Sequence, residues 1–276
     1  MIKQKSKISV QEYYEKYAEG DRLLSGLGLL EFERTKIILQ RFLPPSPATV
    51  LDVGGGAGAY SLWLARSDYQ AHLIEPSPKL VEQARLASQR QSETPLASIM
   101  IGDARALGFP DESADAILLF GPLYHLTENS ERRQALSEAY RVLKPNGILF
   151  AAAISRFASA IDGFLQGFIT DPIFAAMVKQ DLIDGQHRNP TDNIGYFTDA
   201  FFHLPSELRA EIEKSNFKME QLFPVESIGA LVKNFGELWN DEAQRSHLLE
   251  IIKVTEREES ILGVPPHLLC VARKEL

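Results

Sequence analysis

Short apolar runs alternate with segments of helical periodicity through the middle of the chain. The strand-like runs cover residues 49–53, 72–75, 98–101, 116–120 and 147–154. The helix-like stretches cover residues 60–66, 79–90 and 130–142. Alternation of this kind is typical of a parallel sheet, and continuous apolar runs such as 116–120 indicate strands buried on both faces. We therefore predict an α/β fold with a doubly wound, mostly parallel sheet.

Interruptions of this alternation divide the chain into four parts. Residues 1–45 predict a helical lid that ends at a proline cluster, and residues 46–154 carry the sheet core. Residues 155–204 are too long for a simple loop and predict a helical cap insertion. The pattern resumes in residues 205–276 with a helix at 207–214 and strands at 217–225 and 267–272. A second helical insertion is expected at about 227–263, where apolar residues recur on one helix face: Ile228, Leu231, Val232, Phe235, Leu238 and Trp239.

A glycine-rich loop follows the first predicted strand. Asp52 precedes four glycines, Gly54, Gly55, Gly56 and Gly58. Such a loop lets backbone amides approach a ligand that a Cβ would block. Glu75 ends the next strand, where a carboxylate can accept hydrogen bonds from both hydroxyls of a ribose. Together these residues predict a nucleoside ligand.

Two kinds of cofactor fit this loop geometry. The glycines also satisfy the relaxed dinucleotide pattern of a nicotinamide enzyme. Asp52 favours the other kind, because its negative charge would repel a pyrophosphate and attract an ammonium or sulfonium group. The residue beside the loop therefore favours a cofactor with an ammonium or sulfonium group over a nicotinamide dinucleotide.

Five motifs between residues 47 and 154 resemble those of the class I S-adenosylmethionine-dependent methyltransferases of small molecules. The matching segments are Asp52 with Gly54, Gly56 and Gly58; Glu75-Pro76-Ser77-Pro78; Gly102-Asp103-Ala104-Arg105; residues 109–120; and Arg141-Val142-Leu143-Lys144-Pro145-Asn146-Gly147. Asn146 and Ala114 depart from the usual glycine and phenylalanine of these motifs, outside the expected cofactor contacts. The resemblance implies a Rossmann-like sheet of seven strands whose last strand is antiparallel. It also implies S-adenosylmethionine as the cofactor.

The resemblance extends to a set of expected cofactor-binding residues. They are Tyr14, Arg34, Asp52, Gly54, Gly55, Gly56, Gly58, Glu75, Pro76, Asp103, Ala104 and Phe120. Asp103 would receive the adenine amino group. In related methyltransferases an N-terminal helix folds over the cofactor, so Tyr13, Tyr14 or Tyr17 would flank the sulfonium. Arg22 or Arg34 would pair with the methionyl carboxylate; the alternative is a helix that packs its tyrosines on the core.

The segment after the fourth predicted strand, residues 121–126, leaves the carboxyl edge of the sheet, where ligands of open α/β folds bind. His125 is the best-placed histidine for a general base, with Tyr124 as an alternative or as an orienting hydroxyl. The competing interpretation makes His125 a capping or packing residue. The other histidines have no paired ligand spacing and are interpreted as structural or surface residues, with His203 bordering the site at most: His72, His187, His203, His247 and His267.

Composition limits the partners. Twenty-nine basic and thirty-seven acidic residues give a net charge of −8, which disfavours nucleic acid. Cys270 is the single cysteine, so no intrachain disulfide or cysteine-rich metal site is expected, and no metal site is predicted. The sequence suggests neither a signal peptide nor a membrane span, so a cytoplasmic protein is expected.

Several acceptor classes are disfavoured by residues that are absent. The signature for adenine and amide acceptors is missing, one cysteine is too few for arsenite chemistry, and no carboxylate set suits metal-assisted catechol methylation. We therefore predict in-line methyl transfer to a nitrogen or oxygen of a small molecule. The alternatives are a nicotinamide-dependent oxidoreductase and a non-catalytic regulatory module that binds the cofactor. The acceptor and the oligomeric state stay open.

Overall fold

The fold is described from a computed structural model that covers residues 6–16 and 19–275. The helices are α1 Val10–Lys16, α2 Leu27–Phe42, α3 Ala59–Arg66, α4 Pro78–Arg90, α5 Pro122–His125, α6 Asn129–Val142, α7 Ala158–Leu165, α8 Pro172–Asp184, α9 Pro205–Lys214, α10 Phe235–Asn240 and α11 Glu242–Thr255. The strands are β1 Thr49–Val53, β2 Gln70–Glu75, β3 Ser98–Ile101, β4 Ala114–Leu119, β5 Leu143–Ser155, β6 Gln186–His187, β7 Ala200–His203, β8 Phe217–Pro224 and β9 His267–Lys274. Short 3-10 helices cover Glu19–Leu24, Phe168–Thr170, Ile194–Tyr196, Ser227–Leu231 and Glu259–Ile261. Tyr17, one of the tyrosines expected to flank the sulfonium, lies outside the described residues.

The strands form one sheet with the topology that the resemblance implies. Strands β3, β2, β1, β4 and β5 lie side by side and are all parallel. Strand β9 runs antiparallel to β5, and β8 runs antiparallel to β9. These seven strands confirm the predicted, mostly parallel arrangement with an antiparallel last strand, although two further short strands bring the sheet to nine. Because β1 to β5 are parallel, their carboxyl ends meet at one edge.

The cap between β5 and α9 contains two strands that the sequence pattern did not predict. Strands β6 and β7 pair with each other, and β7 continues the sheet through Ile154↔Phe202 and Ser155↔His203. Strand β9 occupies the opposite side of β5 at Ile154, so β7 lies on the side of β5 where β4 has already ended. The cap is therefore anchored directly above the carboxyl end of β4. Runs of two and four residues are too short to be recognised by periodicity.

Buried charges connect the cap to the helices below it. The Arg132 guanidinium donates to both carboxylate oxygens of Glu211 and lies 3.8 Å from the ring centroid of Phe201. His203 is fully buried and its Nε2 lies 3.3 Å from Glu211. Burial raises the pKa of Glu211, but His203 and Arg132 outweigh that effect and lower it to about 2. His203 therefore belongs to this network and does not border a ligand site.

The second insertion differs from the single helix that its spacing predicts. It folds as a 3-10 helix, Ser227–Leu231, followed by α10 and α11. Val232 is extended and Asn234 adopts a left-handed conformation with φ 53°, and these two residues end the first helix and start the next. Most of the predicted apolar face still packs together, against Leu30 of α2.

The N-terminal segment is held between the sheet and the cap. Ile38 and Leu39 of α2 are fully buried and pack in the core cluster that contains Val50 of β1. Before α1, the Lys7 amide donates to the Asn189 carbonyl at 2.9 Å, and further contacts join this segment to residues 198 and 199. In the described part of the chain, none of the helices is long and apolar enough to cross a bilayer.

The Arg132 and Glu211 pair generates a stability prediction. We expect Glu211→Gln to lower the free energy of unfolding by about 3 kcal/mol, because it leaves the buried guanidinium without its counter-charge. Glu213→Gln, an exposed residue on the same helix, is the matched control and should change stability little. Urea denaturation followed by circular dichroism measures both; equal effects of the two variants would contradict a structural role for the pair.

Candidate functional site

A cavity of about 370 Å³ lies at the carboxyl edge of the sheet. The glycine loop, the ends of β2, β3 and β4, and the N-terminal helices all contribute to its lining. Eleven of the residues predicted from the sequence meet there: Tyr14, Gly54, Gly55, Gly56, Glu75, Pro76, Asp103, Ala104, Phe120, Tyr124 and His125. Three others, Arg34, Asp52 and Gly58, do not line the cavity.

The glycine loop is shaped by a close approach to the end of β4. Gly54 has φ +75°, and a Cβ at this position would lie 2.7 Å from the Phe120 carbonyl oxygen. Gly56 has φ +58° and faces open space at the cavity. A side chain at Gly54 would push the loop from the sheet edge, so its backbone could not form this cavity wall.

Glu75 presents a fixed carboxylate to the cavity. Its Oε2 accepts a hydrogen bond from the Gly56 amide at 3.1 Å, and its Oε1 accepts one from the Ser77 amide at 2.9 Å. The side chain is buried, since only 6% of the residue is exposed. Each carboxylate oxygen has more than one acceptor position, so a carboxylate fixed in this plane suits a vicinal diol such as ribose.

Asp103 lies at the more exposed end of the cavity, beside Ala104. Its carboxylate accepts hydrogen bonds from the Arg105 backbone amide at 2.8 Å and from Arg105 Nε at 2.9 Å. The Arg105 side chain lowers the pKa of Asp103, against the opposing effect of partial burial. Asp103 is therefore an ionised acceptor at the position where the resemblance places the adenine amino group.

Asp52 corrects the expectation that its charge faces the ligand. The residue is fully buried below the loop, where it accepts hydrogen bonds from the Ser61 amide at 3.2 Å and the Ser61 hydroxyl at 2.5 Å. Burial raises its pKa to about 6 in spite of the two bonds from Ser61. Asp52 thus connects the loop to α3. Gly58 is also structural, because its left-handed conformation, φ +89°, starts α3.

Arg34 does not reach the cavity either, contrary to the expected pairing with a methionyl carboxylate. Its guanidinium is completely buried and donates to Glu256 at 2.7 Å. The alternative candidate, Arg22, does line the cavity, where its NH2 donates to Glu31 at 3.0 Å. Arg34 lies on the face of α2 that packs against the C-terminal helices, and helical spacing alone did not reveal which arginine faces the ligand.

His125 and Tyr14 form a hydrogen-bonded pair in the cavity wall. The Tyr14 hydroxyl lies 2.6 Å from His125 Nε2, and the Tyr124 ring centroid lies 4.7 Å from that of the imidazole. Burial lowers the pKa of His125 to about 4, outweighing the opposing effect of the Asp199 backbone. The imidazole is therefore neutral near pH 7, which is the protonation state that a general base needs.

His267 is the functional candidate that sequence reasoning missed. It lines the cavity, and its Nδ1 lies 2.5 Å from Glu226 and 3.6 Å from Glu31. Burial lowers its pKa, but Glu31 and Glu226 outweigh burial and raise it to about 9. Its place in the sequence could have identified it. The last strand is antiparallel, so its first residue lies at the same edge of the sheet as the carboxyl ends of the parallel strands.

Glu31, Glu226 and His267 also form a group that metal ions can use. Within the described residues, their ligand atoms lie within 4.8 Å of one another. Both carboxylates already have a cationic partner, since Arg22 pairs with Glu31 and His267 pairs with Glu226. A metal ion would have to displace Arg22 and the imidazole proton, so the cluster is better described as an ion-pair network.

Comparisons with known proteins agree with this geometry. A family model described as a methyltransferase domain matches residues 51–151. A ubiquinone/menaquinone biosynthesis C-methyltransferase from Acidiphilium cryptum is 30% identical over 182 residues, covering 64% of this chain and 71% of that protein. A glycine/sarcosine N-methyltransferase from Parasynechococcus marenigrum is 33% identical over 143 residues, covering 50% of this chain and 49% of that protein.

Solved structures share the fold. The crystal structure of an S-adenosylmethionine-dependent methyltransferase from Methanosarcina mazei superposes with a TM-score of 0.57 at 18% identity, covering 87% of this chain and 97% of that one. The fold, the glycine loop with Glu75 and the relatives all agree. The chain belongs to the class I S-adenosylmethionine-dependent methyltransferases.

Proposed function

We propose that this enzyme methylates a small, largely apolar molecule whose nucleophile is activated by loss of a proton from a hydroxyl group. The observation that carries the proposal is the neutral His125, hydrogen-bonded to Tyr14 in the cavity wall. Apolar side chains supply much of the remaining lining, among them Leu23, Val225 and Leu269. Such a wall suits an apolar acceptor body with few polar groups.

The residues around the glycine loop fit S-adenosylmethionine. Glu75 is fixed by two backbone amides and would hold the ribose hydroxyls, while Gly56 leaves space that a Cβ would fill. Asp103 would accept from the adenine amino group, with Pro76, Ala104 and Phe120 as apolar neighbours. The cofactor, when bound, supplies a methyl group on a sulfonium. The N-terminal helices contribute Tyr14 and Arg22 to the same wall and would close over it as a lid.

His125 would act as the general base. A methyl transfer needs the nucleophile held in line with the methyl carbon at about 3–3.5 Å. A hydroxyl acceptor gains reactivity when its proton passes to the Tyr14 oxygen while Tyr14 passes its own proton to Nε2 of the neutral imidazole. In this scheme Tyr14 relays the proton, because its hydroxyl occupies Nε2 and Nδ1 is buried away from the cavity, and Tyr124 packs against the ring.

The methyl group goes to the acceptor atom that is held in line with the bond between the cofactor sulfur and the methyl carbon. The sequence favoured nitrogen or oxygen, whereas the relatives include proteins named for carbon and for nitrogen methylation. An ionised phenol or enol is nucleophilic at oxygen and at the neighbouring carbon, so one base serves either outcome. We propose oxygen or carbon of a hydroxylated acceptor. An amine is the alternative, favoured by the N-methyltransferase relative.

The direct test uses methyl-labelled S-adenosylmethionine and a metabolite extract depleted of macromolecules. Label should appear in a small organic product that mass spectrometry identifies by the gain of one methyl group. Binding of the cofactor without transfer to any metabolite would sink the proposal and favour the regulatory module. Tight binding of a nicotinamide cofactor in its place would favour the oxidoreductase.

Cofactor binding should depend on Glu75. We expect Glu75→Ala to weaken S-adenosylhomocysteine binding about 10- to 100-fold, because hydrogen bonds to a charged partner contribute about 1.5–3 kcal/mol. Glu75→Gln, which keeps one carbonyl acceptor, should lie between this variant and the wild type. Titration calorimetry measures the affinities, with the exposed Glu82→Ala as the control. Wild-type affinity in Glu75→Ala would contradict the assignment of the ribose site.

Methyl transfer should depend on a neutral His125. We expect His125→Asn to slow label transfer to the extract by about 100-fold or more, with unchanged binding of S-adenosylhomocysteine. The exposed His247→Asn is the matched control. Because the pKa of His125 is lowered to about 4, activity should show no imidazole titration between about pH 6 and 8. A loss of activity with a midpoint near pH 6.5 would argue against this assignment.

A further inference from the structure

His267 is held by Glu226 in one orientation at the cavity. Glu226, only 1% exposed, binds His267 twice: its Oε1 lies 2.5 Å from Nδ1, and its Oε2 accepts from the backbone amide at 3.2 Å. The other ring nitrogen, Nε2, has no hydrogen-bond partner among the described residues, while the residue lines the cavity. Two carboxylates beside Nδ1 favour the protonated ring, and in that state Nε2 offers an N–H group for an acceptor that the described residues do not supply.

Three charged groups and one phenol surround His267, and they come from four parts of the chain. Glu226 follows β8, Glu31 lies on α2 and Arg22 lies on the 3-10 helix before it, with the Tyr60 hydroxyl of α3 close by. Arg22 compensates Glu31, and Glu226 compensates a protonated His267. The four charges cancel. What remains is the polarised Nε2–H, and an unpaired donor beside apolar residues is costly.

The position of His267 places it on the acceptor side of the cavity. The glycine loop follows β1, whereas His267 begins β9, and strands β4 and β5 lie between these two strands. His125 lies on α5, beyond the end of β4. Both histidines line the same cavity, so one acceptor molecule that fills it can contact both.

We infer that His267 donates a hydrogen bond from Nε2 to a carboxylate of the methyl acceptor, so that the substrate class is a hydroxylated carboxylic acid. This inference rests on the proposed function, since it places the acceptor hydroxyl at the Tyr14 and His125 pair. A carboxylate makes the stronger, charge-assisted bond to an imidazolium, whereas a neutral oxygen makes an ordinary one. His267 is thus a specificity-determining residue.

The test measures binding of two matched probes to the full chain saturated with S-adenosylhomocysteine. The probes are meta-hydroxybenzoate and its neutral analogue meta-hydroxybenzyl alcohol, followed by ligand-observed NMR. Wild type should prefer the carboxylate about tenfold or more, and His267→Gln, which keeps an N–H donor but loses the charge, should abolish the preference. His247→Gln, an exposed histidine, is the control and should keep it.

The pH dependence is a second readout. Carboxylate binding by the wild type should weaken as the pH rises through about 9, where His267 loses its proton, and the Gln variant should show no such change. Equal binding of the two probes by the wild type would overturn the inference. So would weaker S-adenosylhomocysteine binding in His267→Gln, because the donor would then serve the methionyl carboxylate of the cofactor.

The two proposals fail in different ways. Probe binding needs no turnover, so the carboxylate preference is measured whether or not a methyl group is transferred. Label transfer to uncharged metabolites, together with absent probe discrimination, overturns the role of His267 and leaves the methyl transfer standing. Failure of label transfer to any metabolite overturns the methyl transfer itself.

Discussion

The contact between Gly54 and the Phe120 carbonyl is the constraint on which the site depends. A Cβ at Gly54 would lie 2.7 Å from that oxygen, so only glycine lets the loop after β1 turn against the end of β4. This turn brings the Gly56 amide to Glu75, which fixes the carboxylate at the end of β2. The continuation of β4 leads directly to His125. The close approach of the loop after β1 to the end of β4 therefore places the cofactor residues and the proposed base around one cavity.

The sequence predicted the parts of the fold that are encoded locally. Strand alternation and the glycine loop are short-range patterns, and they located β1 to β5, β8, β9 and the position of Glu75. The direction of individual side chains depends on packing that no local pattern contains. Asp52 turns below the loop to Ser61, and Arg34 turns to Glu256, a residue 222 positions further along the chain. Strand β7 was missed because its partner, the end of β5, is supplied by the tertiary fold.

The two histidines of the cavity have different protonation states because different groups surround them. His125 is packed among aromatic rings with a phenol as its partner, so burial favours the neutral form. His267 is partly shielded from water, but two carboxylates stabilise its charged form. One imidazole is thus kept neutral, and the other is kept protonated as a hydrogen-bond donor. Pairs of titratable groups whose pKa values are moved apart are a common basis for distinct roles in one site.

The most direct test is a crystal structure of the full chain with S-adenosylhomocysteine. We expect the ribose hydroxyls within about 2.6–3.2 Å of the Glu75 carboxylate, with open space left between His125 and His267. That arrangement would place cofactor and acceptor side by side, as the methyl transfer requires. A cofactor bound away from Glu75, or one whose methionyl group fills the space between the two histidines, would contradict it.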